Sequence, residues 1–214
     1  MSPEPDELLY DWDNTLVDAW AGVAAALNAT FDAFSLPRWS VAETRARVRV
    51  SLRDSFPVMF GDEWTRARDI FYATLEQEHL HHVTPMPGVG EALQAGRTRK
   101  QGVVSNKTGR FLRQEVQHLG WSLFFGAVIG AGDAKADKPD PAPILLALES
   151  IGANPGTNVW YLGDTALDMQ TARAAGVTAV LIGDAAHDQG IDAAAPDLHF
   201  PSAFELATRL RAIA

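Results

Sequence analysis

Cysteine is absent from the 214 residues of this chain. That excludes disulfides, thiolate metal sites and cysteine nucleophiles, and it suits a cytoplasmic setting. Long apolar runs are missing as well. None approaches the roughly 20 residues needed to span a bilayer, so no membrane partner is expected. Basic charge is in short supply: 18 Lys and Arg face 27 Asp and Glu, for a formal net charge of −9. Such a chain repels a nucleic-acid backbone, and any anion site on it must bring its own cations. Repeats and low-complexity tracts are lacking. The opening residues, MSPEPDELL, are acidic and proline-containing, unlike a basic secretory leader. What is present is a hydrophobic share of 47%, enough to fill the core of one large domain or of a domain carrying an insertion.

ELLYD (7–11) reads as a short buried strand, and the period then changes. Leu16, Trp20, Val23, Leu27, Phe31 and Phe34 step by three and four, the mark of an amphipathic helix ended by SLP at 35–37. Ser40 and Glu43 form a capping-box signature for a second helix running to about Arg53. Pro57 and Gly61 are expected to break the chain, and a third helix should run from about Asp62 to His82. After TPMPG (84–88) strands and helices alternate. Strands are expected at 101–105, 125–131, 158–164, 178–184 and 197–200, with helices at 110–120, 141–152, 166–176 and after Ser202. Serial βα units predict an α/β fold, a Rossmann-like parallel sheet with helices on both faces. Residues 1–14 and 86–214 would form this core, and 15–85 an inserted all-helical cap domain.

In open α/β sheets the ligand crevice lies beyond the carboxyl ends of the strands. Here the first strand ends in Asp11-Trp12-Asp13-Asn14-Thr15 and the second in Ser105-Asn106-Lys107. Lys135 and Lys138 follow the third. The fourth ends in Gly163-Asp164-Thr165, with Asp168 a turn further on. Several carboxylates, a hydroxyl and a lysine are thus directed to one rim.

DWDNT, VVSN, DKPDP and GDTALD, in that order and spacing, resemble the motifs of the haloacid dehalogenase superfamily. The nearest likeness is to its phosphoglycolate phosphatase-like branch with a helical cap. The resemblance spans about residues 7–200. One such motif alone is weak, and four in register are strong. It implies a Mg²⁺-dependent phosphatase acting on a small phosphorylated metabolite. In that family's chemistry Asp11 would be the nucleophile, Asp13 the general acid and base, and Ser105 and Lys138 the groups that hold the transferring phosphoryl oxygens. Thr15 and Asn106 would lie at the substrate. Asp11, Asp164 and the carbonyl of Asp13 would hold Mg²⁺, with Asp168 as a direct or outer partner. Asn14 stands where the family often has glycine, and asparagine tolerates the left-handed backbone a sharp turn there demands. Lys138 is preferred to Lys135 because of its KPDP setting, and Lys107 is expected to contribute only peripherally. Trp12 should contribute chiefly its amide.

Plainer readings stand beside these: a solvated strand end for Asp11 and Asp13, a helix cap for Ser105, a cap and first-turn acid for Asp164 and Asp168, a loop lysine for Lys138. Arg45, Arg49 and Arg53 repeat every four residues. Either they form a solvated stripe, or Arg49 or Arg53 reaches a second anionic group of the substrate. His79 and His82 lack a third metal ligand and are expected to be structural or exposed. A phosphomutase of the same fold, a receiver-like domain and a non-catalytic phosphate-binding protein remain alternatives, and the chain could be a monomer or a homodimer.

Overall fold

A computed structural model describes residues 4–48 and 52–213. The chain begins with β1 (Glu7–Tyr10) and β2 (Val17–Asp18), followed by α1 (Trp20–Ala33), α2 (Val41–Arg47), α3 (Leu52–Phe60), a 3-10 turn (Gly61–Glu63) and α4 (Trp64–His82). It continues through β3 (Thr84–Pro85), α5 (Val89–Ala95), β4 (Lys100–Thr108), α6 (Gly109–His118), β5 (Ala127–Ala131), α7 (Ala142–Ser150) and β6 (Val159–Gly163). The last elements are α8 (Ala166–Ala175), β7 (Thr178–Ile182), α9 (Ile191–Ala194), β8 (Leu198–Phe200) and α10 (Ala203–Ala212). It divides into two compact units. Residues up to Val17 and from Pro85 onward form one, and Asp18–Thr84 the other.

The first unit is an α/β Rossmann-like domain. Its six strands lie in the order β5-β4-β1-β6-β7-β8, and every pairing is parallel. Tyr10, the last residue of β1, is level with Val103 of β4 and Leu162 of β6. From β1 the chain fills one side with β4 and β5, then crosses to the other with β6, β7 and β8. The order therefore reverses at β1, and ligand crevices form at such a point. Alternate strand residues serve opposite faces. Leu9, Val104, Ile129, Tyr161 and Leu181 share a buried cluster with Ile144 and Leu148 of α7 and Met169 of α8. A parallel sheet needs both faces covered.

The second unit is all helical. Its core is aromatic: Phe31 of α1, Phe56 and Phe60 of α3 and Phe71 of α4 bury their rings together with Leu27. Phe56 meets Phe71 nearly edge-on, with centroids 5.7 Å apart. The Asn28 side chain donates to the Trp39 carbonyl and accepts from its N–H, both at 2.8 Å, which seats the indole against Phe31. Ser40 and Glu43 form the expected capping box.

Three expectations fail. The second helix does not run to Arg53. The β-branched Val48 takes an extended backbone (ψ 100°), which ends α2 at Arg47. Arg45 and Arg53, assumed to share one helical face, therefore lie in separate helices. Arg49 lies outside the described residues, and Arg53 belongs to α3, its side chain outside the description. Pro57 does not break the chain. It sits inside α3, where burial of Phe56 and Phe60 offsets the backbone bond a proline cannot make. The short α5 and α9 were not expected at all.

Candidate active site

The rim begins where β1 runs out. Asp11 N–H still donates to the Leu162 carbonyl, at 2.7 Å, so its side chain is delivered at the sheet's edge with a fixed backbone. The chain then turns sharply. Asn14 adopts φ 63°, and its N–H bonds the Val17 carbonyl at 2.6 Å. Asparagine is one of the few residues that visits this region readily, so the turn is written into DWDNT.

Asp11 is buried, and its Oδ1 accepts from Lys138 Nζ at 2.6 Å. The same ammonium reaches Asp168 Oδ1 at 2.7 Å and the Tyr161 hydroxyl at 3.1 Å, which leaves its three protons directed. The Tyr161 hydroxyl in turn donates to the Val104 carbonyl at 2.9 Å. Lys138 is buried and Lys135 exposed. Burial works against the charge on Lys138, but Asp11 and Asp168 overcome it and hold its pKa well above the usual lysine range. Burial pushes Asp11 up to about 8, and repulsion from Asp168 and Asp164 adds to the rise that Lys138 opposes.

Asp164 follows β6 directly. Its Oδ1 accepts from Thr15 Oγ1 at 3.0 Å, and His187 Nε2 stands 3.0 Å from its Oδ2. Burial again raises its pKa. Asp168 caps α8: its Oδ2 accepts from the Thr165 N–H at 3.1 Å and from the Thr165 hydroxyl. It comes this close to the strand because residue 163 is glycine. A Cβ on Gly163 would collide with the Asp168 side chain.

Ligand oxygens of Asp11, Asp164 and Asp168 all lie within 4.8 Å of one another, and all three residues are buried. Three clustered carboxylates against one lysine leave excess negative charge, and all-oxygen donors suit a hard divalent cation. The group therefore fits a metal site. Both oxygens of Asp168 are engaged by Lys138 and Thr165, and those of Asp164 face Thr15 and His187, so the cluster as a whole, rather than any one carboxylate, defines the site.

Ser105 is buried on β4, and its Oγ accepts from the Lys107 N–H at 3.2 Å. Asn106 was expected at the substrate. Its side chain instead grips the main chain of Lys138, accepting from the N–H at 2.9 Å and donating to the carbonyl at 3.0 Å. Asp13 is part-exposed and its carboxylate lies apart from the acid cluster, with Oδ1 accepting from Lys107 Nζ at 2.7 Å. Lys107 thus contacts Asp13 directly. The indole N–H of Trp12 donates to Glu115 Oε2 at 2.6 Å.

Sequence reasoning missed Tyr161, His187 and Glu115. For Glu115 a signal existed. Leu112, Glu115 and Val116 are spaced as one helical stripe, and an acid inside an apolar stripe is conspicuous. Nothing in the sequence marks Tyr161 or His187, whose roles arise from contacts across the sheet.

The chain belongs to the haloacid dehalogenase-like hydrolases, whose family model matches residues 8–182. It is an enzyme of the phosphatase kind, a phosphoric monoester hydrolase. Among its relatives, a phosphoglycolate phosphatase of Xanthomonas campestris pv. campestris is 30% identical over 188 residues, covering 82% of each chain. One from Pseudomonas syringae pv. tomato is 29% identical over 192 residues, covering 83% of this chain and 69% of the relative. The fold matches a haloacid dehalogenase-like hydrolase of Streptococcus pneumoniae, SP0104, with a TM-score of 0.81 at 21% identity, covering 96% and 98% of the two chains. A structure described as a predicted phosphoglycolate phosphatase from Haemophilus somnus gives 0.80 at 20% identity, covering 98% and 99%.

Proposed function

We propose that this enzyme is a Mg²⁺-dependent phosphatase of small phosphorylated metabolites, working through an aspartyl phosphate on Asp11. The observation that carries the reading is the convergence of Asp11, Lys138, Asp164 and Asp168 beyond β1 and β6.

Phosphate monoesters hydrolyse extremely slowly unaided, so strong stabilisation of developing charge is required. Mg²⁺ held by Asp11, Asp164 and the Asp13 carbonyl would neutralise the phosphoryl group's negative charge. Lys138, together with the bound metal, would favour the ionised form of Asp11 needed for attack, and it places positive charge where the equatorial oxygens develop theirs. Ser105 and the N–H groups following it supply hydrogen bonds to those oxygens. Thr15 orients Asp164, and Asn106 orients Lys138. Asp13 protonates the departing oxygen, then takes a proton from the water that cleaves the aspartyl phosphate.

The helical unit Asp18–Thr84 serves in this reading as the substrate-selecting cap, and the working compartment is the cytoplasm. 2-Phosphoglycolate is the first substrate to try, since it is what the similar enzymes are named for. Phosphate release from 2-phosphoglycolate and from 4-nitrophenyl phosphate, measured with Mg²⁺ and with EDTA, tests the proposal. Turnover should need the metal and vanish in Asp11→Asn. Full activity in EDTA, or in that variant, would refute it.

A further inference from the structure

Glu115 is a carboxylate on the inward face of α6, 1% exposed, between Leu112 and Val116. None of the chemistry above uses it. A buried acid is costly, and a leucine at this position would pack without that cost. Its partners define what it does. Glu115 Oε2 accepts from the indole of Trp12, the residue between Asp11 and Asp13. Both its oxygens accept from Lys107 Nζ, at 2.9 and 2.7 Å, and the same nitrogen donates to Asp13 Oδ1 at 2.7 Å. The three protons of the ammonium thus face three acceptor oxygens, two from Glu115 and one from Asp13. Without Glu115 the long lysine side chain would have one anchor and several rotamers.

We infer that Glu115 is a positioning residue for Asp13: acting through Lys107, it braces the Asp13 carboxyl for proton transfer. This rests on the reading of Asp13 as the acid and base of a phosphatase. In the first step Asp11 forms an O–P bond as the ester O–P bond breaks, and the Asp13 proton passes to the departing oxygen. In the second, water attacks phosphorus, the Asp11 O–P bond breaks, and the water proton returns to Asp13. A carboxyl misplaced by even an ångström serves neither step well.

The dependence on leaving group separates bracing from mere structure. 4-Nitrophenolate departs well unprotonated, whereas phenolate needs the acid more. The quantity to measure is kcat/KM for phenyl phosphate divided by that for 4-nitrophenyl phosphate, with saturating Mg²⁺ and the full chain. Asp13→Asn sets the scale and should lower this ratio by tenfold or more, on the order of what general acids supply. Glu115→Leu and Lys107→Met should each lower it by about tenfold, and Glu115→Gln by less, because an amide oxygen still accepts from Lys107. Two variants at 115 and one at 107 cover the failure of any one to fold. If Asp13→Asn lowers the ratio while Glu115→Leu and Lys107→Met keep the wild-type value, the inference is wrong and the phosphatase reading stands. If Asp13→Asn leaves the ratio unchanged, or the wild type turns over neither ester, both are wrong.

Discussion

The side-chain amide of Asn106 closes a two-bond ring on the main chain of Lys138, one bond to its N–H and one to its carbonyl. A residue at the end of β4 thereby fixes the loop that carries the buried lysine after β5. Asn106→Ala removes both bonds, worth about 1–3 kcal/mol together, and lets Lys138 drift from Asp11. We expect kcat for phosphate release to fall about tenfold or more. A kcat within twofold of wild type would detach this ring from catalysis.

Lys138 itself compensates two buried carboxylates, Asp11 and Asp168. Lys138→Met should destabilise the metal-free protein by up to about 3–5 kcal/mol once the pH reaches the range where Asp11 ionises, as breaking buried pairs does. The loss should shrink at pH 5, well below the raised pKa of Asp11, where that carboxyl holds its proton. Urea unfolding of both proteins at pH 5 and pH 8 provides the comparison. An equal loss at the two pH values would contradict the buried-charge account.

Asp11 also predicts how metal binding responds to pH. Its carboxyl, raised from an ordinary 3.8 to about 8, keeps a proton in the metal-free folded state that the unfolded chain has released. Its contribution to stability is therefore fully present below 3.8 and is lost as pH rises toward 8. Mg²⁺ must displace this proton, so affinity should climb by up to about tenfold per pH unit below 8 and level off above. Calorimetric titration at pH 7 in two buffers of different ionisation enthalpy should reveal proton release. Identical heats in both buffers would exclude it.

Gly163 allows Asp168 to lie against the end of β6, where a methyl group would overlap its carboxylate. Gly163→Ala should push Asp168 away from Lys138 and cost about 1–3 kcal/mol of stability by overpacking. Activity should fall even at temperatures where the variant remains folded. Thermal unfolding beside kcat measurements distinguishes the two effects.

The rim was legible because its acids are local. Asp11 and Asp13, and Asp164 and Asp168, sit in short motifs at the ends of strands whose apolar runs announce them. The parallel order followed from alternating strand and helix patterns. What stayed hidden depends on long-range contact. Lys107 was judged by its neighbours in sequence, yet its ion-pair partners Asp13 and Glu115 meet it only in the fold. Asn106 was given to the substrate because it follows Ser105, while its partners are 32 residues away. For the arginines of the helical unit the expected helix was too long. Their four-residue spacing was a sound local signal, but Val48 ends the helix between Arg45 and Arg53.

The position of β1 has a consequence for how the enzyme is made. The strand bearing Asp11 is synthesised well before its partners, Lys100–Val103 and Val159–Leu162. Until β6 has emerged, β1 has no neighbour on its second side, and pairings this distant in sequence form slowly. Synthesis therefore leaves Asp11 without its β6 neighbour until that strand arrives beside it, and a chain stopped short of that strand would expose an apolar edge prone to aggregation.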